Sequence, residues 1–170
     1  PSVTAMYIMS FTTSEITWIW VIQMPLNNRY CFNLTDGGNV VIEPSFRPNN
    51  FMLIPTAACQ ASCAYCFGPN RGETMSVGIA DQALAFMARI APAEGSVHVT
   101  FHGGEPLLAR AEYYEYILPR LTELFGRRLR LSMQTNLLAM DERMAGLIRD
   151  YSIAVGTSAD GDEALCDAQR

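Results

Sequence analysis

Val97-His98-Val99-Thr100-Phe101-His102-Gly103-Gly104-Glu105-Pro106-Leu107-Leu108 reads as a strand that runs into a glycine turn and out into a helix start. Apolar residues alternate with His98 and Thr100 over the first five positions, and proline follows the turn, where a first helical turn tolerates it. The same unit repeats outward in both directions. Upstream, Phe51-Met52-Leu53-Ile54 is a short buried-type strand, and Ser76 is placed to cap a helix whose apolar stripe is Ala80, Ala83, Leu84, Met87, Ile90 and Ala91. Downstream, residues 106–125 form a helical region carrying Tyr114, Ile117, Leu118, Leu121 and Phe125 on one face. Pro119 is predicted to kink or split it, and Gly126 to end it. Leu129 to Met133 is a third strand, Asp141 caps a third helix with Met144, Leu147 and Ile148, and Ile153 to Thr157 is a fourth strand. Strand and helix alternating at this spacing specify βαβ units and a parallel sheet, an α/β domain over residues 51–170. In such sheets ligands gather at the carboxyl ends of the strands.

Of the 170 residues 49% are apolar and 17% charged, a globular composition with enough apolar mass for one ordinary core. A formal charge of −5 leaves no basic footprint for nucleic acid. The apolar stretch from Tyr7 to Met24 is short and is broken by Glu15 and several threonines, so it does not read as a membrane span. Five cysteines without a secretory leader argue against a disulfide scaffold and for a cytoplasmic setting. Residues 1–50 read as an extension, with a β-hairpin over 30–42 and a linker over 44–50, and no chemistry is assigned to them. The chain opens on Pro1, with Met24 as a candidate start, and stops at Arg170 after a strand-like segment, so it is expected to be the N-terminal part of something longer.

The loop after the first strand carries Cys59-Gln60-Ala61-Ser62-Cys63-Ala64-Tyr65-Cys66, three thiols in a Cys-x3-Cys-x2-Cys run. Soft thiolates select iron–sulfur clusters or zinc. Structural zinc wants four protein ligands, and only Cys31 or Cys166 is left to complete such a set. A three-thiolate [4Fe–4S] cubane leaves one iron open to a substrate or cofactor.

The cysteine run resembles the cluster motif of the radical S-adenosylmethionine (SAM) superfamily. Three later stretches add to the likeness. Gly103-Gly104-Glu105-Pro106 resembles the family's Gly-Gly-Glu-Pro element, and Gln134-Thr135-Asn136 is similar to the Gln-Thr-Asn-Gly of its peptide-modifying branch, with Leu137 in the glycine's place. Ser158-Ala159-Asp160-Gly161, followed by Asp167 and Arg170, resembles the corresponding stretch of anaerobic sulfatase-maturating enzymes, with Cys166 where histidine is frequent. The resemblance covers residues 51–170. It implies the first half of a partial (β/α)6 barrel, a [4Fe–4S] cluster on Cys59, Cys63 and Cys66, and SAM as the second cofactor. It also implies SAM contacts from Tyr65 near the adenine, from Gly103, Gly104 and Glu105 near the ammonium, and from Gln134, Asn136, Ser158, Asp160 and Arg170. The implied activity is reductive cleavage of SAM to a 5′-deoxyadenosyl radical, an oxidoreductase-type modification of a peptide or protein side chain as in sulfatase maturation. An electron donor such as flavodoxin or ferredoxin is the implied partner.

Other readings stand beside this one: a radical SAM enzyme acting on a small molecule, and a non-catalytic cysteine-ligated zinc or iron–sulfur module. Cys31 in its β-prone run reads as a packed small hydrophobe. His98 reads as pointing off the core face and His102 as supporting the glycine loop.

Overall fold

The computed structural model describes residues 4–13, 16–25, 48–66, 68, 70–159 and 161–169. The hairpin expected over 30–42, with Cys31, lies outside the described residues, as do Asp160 and Arg170. One six-stranded sheet runs in chain order: β1 (Thr4–Thr13), β2 (Ile16–Pro25), β3 (Asn50–Thr56), β4 (Val97–Gly103), β5 (Leu129–Gln134) and β6 (Ala154–Gly156). Strands β3 to β6 pair in parallel, with Val99 opposite Leu131 and Ser132 opposite Ala154. β1 and β2 pair antiparallel over their whole length, and β2 joins β3 antiparallel through Val21 and Ile22. A strand pair in the first 25 residues was not among the sequence expectations.

Helices α1 (Val77–Ile90), α2 (Arg110–Phe125) and α3 (Glu142–Asp150) fill the crossovers, and α4 (Glu163–Gln169) follows β6. Parallel strands taken in order, with right-handed crossovers, set the connecting helices on one face, as in an α/β barrel. That face is the core. Val97, Val99 and Phe101 of β4 are fully buried while His98 between them is exposed, so the period-2 reading of the strand holds. Opposite them lie Ala80, Ala83, Leu84, Met87 and Ile90 of α1 and Ile117, Leu118 and Leu121 of α2. Each buried Val, Leu, Ile, Met or Phe among them contributes about 1.5–3 kcal/mol by leaving water, and the alanines less. Tyr114 sits at the centre, edge-on to Phe101 at 5.1 Å between ring centroids and to Tyr113 at 5.4 Å, and its hydroxyl donates to the Pro106 carbonyl at 2.9 Å.

The caps fall where the sequence places them. Ser76 Oγ accepts from Ile79 N–H, Asp141 Oδ1 accepts from Met144 N–H at 2.7 Å, and Gly126 closes α2 with φ +53°. Pro119 does not split its helix. α2 is continuous through it, because Pro119 and Glu115 both lie on the exposed side, where the carbonyl that loses its donor faces water. The break comes at Arg110, φ +65°, between a 3-10 turn over Pro106–Ala109 and α2.

Candidate active site

The cysteine loop leaves β3 and is bound to its neighbours through backbone. Gly104 N–H donates to the Thr56 carbonyl at 3.1 Å and Glu105 N–H to the Ala58 carbonyl at 2.7 Å, which fastens the loop after β3 to the loop after β4. At the far end Ala64 N–H donates to the Gln169 carbonyl at 2.8 Å, tying the loop to the last residue of α4. Between these anchors Cys66 N–H closes a turn onto the Cys63 carbonyl at 3.0 Å.

The two glycines are dictated by this approach. A Cβ on Gly104 would stand 2.2 Å from the Ala58 carbonyl oxygen and 2.4 Å from that of Ala57, and one on Gly103, φ +127°, would stand 2.5 Å from the Thr56 oxygen. The space they leave is filled by the backbone that leads into Cys59. Small residues at 57 and 58 complete the fit, and His102 Nδ1 accepts from Gly103 N–H at 2.7 Å.

Glu105 joins a third strand end to the first two. Its side chain, which the resemblance places toward an ammonium, is only 1% exposed and takes three donors from the protein. Oε1 accepts from Leu107 N–H at 2.9 Å and from the Thr135 hydroxyl at 2.6 Å, and Oε2 accepts from Asn136 N–H at 2.7 Å. A carboxylate holding three donors inside the protein is a bracket between the loops after β4 and β5. Thr135, 4% exposed, is the partner that sequence reading passed over; its signal was a hydroxyl beside the last strand residue.

The open rim is polar. Gln134 Nε2 donates to Ser158 Oγ at 3.0 Å, connecting β5 to the loop after β6, and Gln134 Oε1 lies over Gly156, where a Cβ would meet it at 2.6 Å unless the glutamine end shifted. Tyr65 is half-exposed at the crest of the cysteine loop, and Cys166 is half-buried on α4. The strand ends thus bring together Cys59, Cys63, Cys66, Tyr65, Gly103, Gly104, Glu105, Gln134, Asn136 and Ser158 on connected loops.

The sulfur environment suits an iron–sulfur cluster. Cys59 Sγ accepts from Ala61 N–H at 3.4 Å and from Asn136 Nδ2 at 3.7 Å, and Cys66 Sγ accepts from Gly68 N–H at 3.4 Å. N–H···S contacts of this kind are among the groups that tune a cluster's potential, while the Cys66 thiol also donates to Asn70 Oδ1 at 3.6 Å. Among the described residues no three His, Cys, Asp or Glu side chains converge as they would around a single metal ion. The three thiolates of a cubane would bind three irons of one cluster, so they need to face a common centre at a wider spacing than the ligands of a single ion.

The Radical SAM superfamily profile matches residues 53–164 of this chain. The chain belongs to the radical SAM superfamily. Similar curated proteins include an uncharacterized protein of Methanothermobacter thermautotrophicus, 36% identical over 121 residues that make up 70% of this chain and 45% of that protein. The cysteine-type anaerobic sulfatase-maturating enzyme of Clostridium perfringens is 29% identical over 132 residues, 72% of this chain and 36% of the enzyme. The serine-type enzyme of Klebsiella aerogenes is 31% identical over 131 residues, 72% and 32%. Among solved structures, native anSMEcpe with bound AdoMet and the Cp18Cys peptide superposes with a TM-score of 0.62 at 25% identity, over 71% of this chain and 34% of that one. The chain therefore spans about a third to just under half of the length of these relatives. Its four parallel strands with their helices are consistent with part of a radical SAM barrel. Among the described residues no helix is long and apolar enough to cross a membrane.

Proposed function

We propose that this protein is a SAM-cleaving enzyme in which Cys59, Cys63 and Cys66 hold a [4Fe–4S] cluster, and that it modifies a peptide or protein side chain in the manner of the sulfatase-maturating enzymes. The observation that carries the reading is the fastening of the three-thiol loop to the loops after β4 and β5 and to α4, with amide donors already aimed at two of its sulfurs. When bound, cluster and SAM supply one-electron reductive cleavage of the sulfonium S–C5′ bond, giving methionine and a 5′-deoxyadenosyl radical that takes a substrate hydrogen. The chain's own residues bind and orient. Cys59, Cys63 and Cys66 would hold the cluster by three thiolates, Tyr65 would offer its ring to the adenine, and Gln134 with Ser158 lines the polar rim. Gly103 and Gly104 hold the cysteine loop at the mouth, and Asp160 and Arg170 stand beyond the described residues as further contacts. A peptide is favoured as substrate because two of the similar enzymes mature sulfatases by name and the superposed structure holds a peptide. A flavodoxin or ferredoxin in a cytoplasmic setting would deliver the electron.

The test is anaerobic reconstitution of the full-length protein, followed by iron and sulfide analysis and by 5′-deoxyadenosine release after chemical reduction with SAM present. Four irons per chain are expected, together with SAM cleavage and a mass change in peptides that offer cysteine or serine. Cys59→Ala, Cys63→Ala and Cys66→Ala should each lose the cluster and Cys166→Ala should keep it. Zinc in place of iron, or no deoxyadenosine from a fully loaded cluster, would overturn the reading.

A further inference from the structure

We propose that Asn136 is a hydrogen-bond donor to the Cys59 thiolate that raises the reduction potential of the cluster, with Glu105 as the residue that positions it. The proposal rests on the cluster assignment above and adds a role for a residue that the motif resemblance associates only with SAM.

Asn136 lies 77 positions from Cys59 along the chain, two residues past the end of β5, yet its Nδ2 stands 3.7 Å from Cys59 Sγ. The amide cannot turn over without loss. Its Oδ1 accepts from Gln60 Nε2 at 3.3 Å and from Leu138 N–H at 3.0 Å, so the oxygen side is taken by two donors and the NH2 side is left facing sulfur. The backbone is fixed as firmly, because Asn136 N–H donates to Glu105 Oε2 at 2.7 Å and Leu137 N–H to Thr135 Oγ1 at 3.0 Å. Gln60, adjacent to Cys59, is bonded to the same asparagine, so side chain and thiol loop are held in one frame. Reduction adds negative charge that is shared with the thiolate sulfurs. An N–H directed at one of them stabilises the reduced state more than the oxidised one, and hydrogen bonds to sulfur are among the determinants of cluster potential.

The experiment measures the midpoint potential of the reconstituted full-length protein by anaerobic redox titration without SAM, in wild type, Asn136→Ala and Asn136→Asp, with iron content determined in parallel. Both variants should retain four irons and titrate at more negative potential. For Asn136→Ala the shift should be about a tenfold change in the reduced-to-oxidised ratio at fixed poise, about 59 mV for a one-electron couple. Asn136→Asp keeps the acceptor for Gln60 and Leu138 but sets an oxygen against sulfur, so its shift should be larger. Glu105→Gln also removes a buried negative charge, which by itself would move the potential positive, so a net negative shift in this variant with full iron would report the loss of Asn136 positioning, and a positive shift would take Glu105 out of that role. A fully loaded Asn136→Ala cluster at the wild-type potential would overturn the proposal, as would loss of iron from both Asn136 variants, which would make the residue a requirement for assembly. Failure of the wild type itself to form a cubane would instead refute the cluster assignment.

Discussion

Removing the Glu105 side chain should destabilise the protein before any ligand is added. In Glu105→Ala the Leu107 and Asn136 N–H groups and the Thr135 hydroxyl lose their acceptor, at a position 1% exposed to water that could replace it. A hydrogen bond to a charged group contributes about 1.5–3 kcal/mol, and buried donors left unpaired cost about 1–3 kcal/mol each. The three share one carboxylate and relax together, and its removal also ends the cost of burying a charge, so the net loss should be about 2–4 kcal/mol rather than the sum of the three. Against a total stability of about 5–15 kcal/mol that is a severe loss. Glu105→Gln keeps the volume and two of the three acceptor positions, and should cost about 1–3 kcal/mol. Urea unfolding of the metal-free, reduced full-length protein without SAM, followed by circular dichroism, measures both. A side chain whose only duty was to meet a ligand would leave this ligand-free stability unchanged. Glu105→Ala within about 1 kcal/mol of wild type would therefore refute the bracket.

Gly104→Ala places a Cβ 2.2 Å from the Ala58 carbonyl and should cost about 1–3 kcal/mol by overpacking. Because the strain falls on the backbone entering Cys59, iron loading should drop with it, and wild-type stability together with full iron would exclude the close approach. Burial pushes the Tyr113 and Tyr114 hydroxyls above their ordinary value of 10.0, Tyr114 also through its neighbours Tyr113 and Glu105. The folded state thus keeps protons that the unfolded chain releases. Stability contributed by these groups is complete below pH 10 and should fall above it by about 1.4 kcal/mol per pH unit for each tyrosine, until its folded-state value is reached. Tyr114→Phe should reduce that slope in urea midpoints measured from pH 9 to 11, and an identical slope would place the alkaline loss elsewhere.

The α/β core was legible because its signals are local. Alternation at Val97, Val99 and Phe101, the helical stripe from Ala80 to Ile90, and caps at Ser76 and Asp141 each fix an element within a few residues. The thiol loop and the glycine turn could be located for the same reason. The strand pair at the N-terminus lies outside what the local signals specify: Ile16-Thr17-Trp18-Ile19-Trp20-Val21-Ile22 is rich in β-branched and aromatic residues, but the stretch from Tyr7 to Met24 lacks the clean alternation and turn residues that mark a hairpin. Partners distant along the chain left no local trace: Asn136 beneath Cys59, Thr135 against Glu105, and Gln169 holding Ala64 are decided by how the loops cross.

Leu137 shows what such crossings do to a local rule. Its φ of +64° lies in the left-handed region, the conformation that a glycine at this place in the related motif would adopt freely. For a leucine that conformation costs about 1–2 kcal/mol. It persists because its neighbours are fixed on both sides, Asn136 N–H on Glu105, Leu137 N–H on Thr135 and Leu138 N–H on Asn136. Strain of this kind survives only where the surroundings over-determine the backbone. The half-exposed leucine side chain gains little from burial that would offset the cost, so the offset comes from the bracket. The buried carboxylate that fastens the loop after β4 to the loop after β5 is therefore also what lets a non-glycine residue occupy this turn beside the cysteine loop, so one network explains both the burial of Glu105 and the left-handed Leu137.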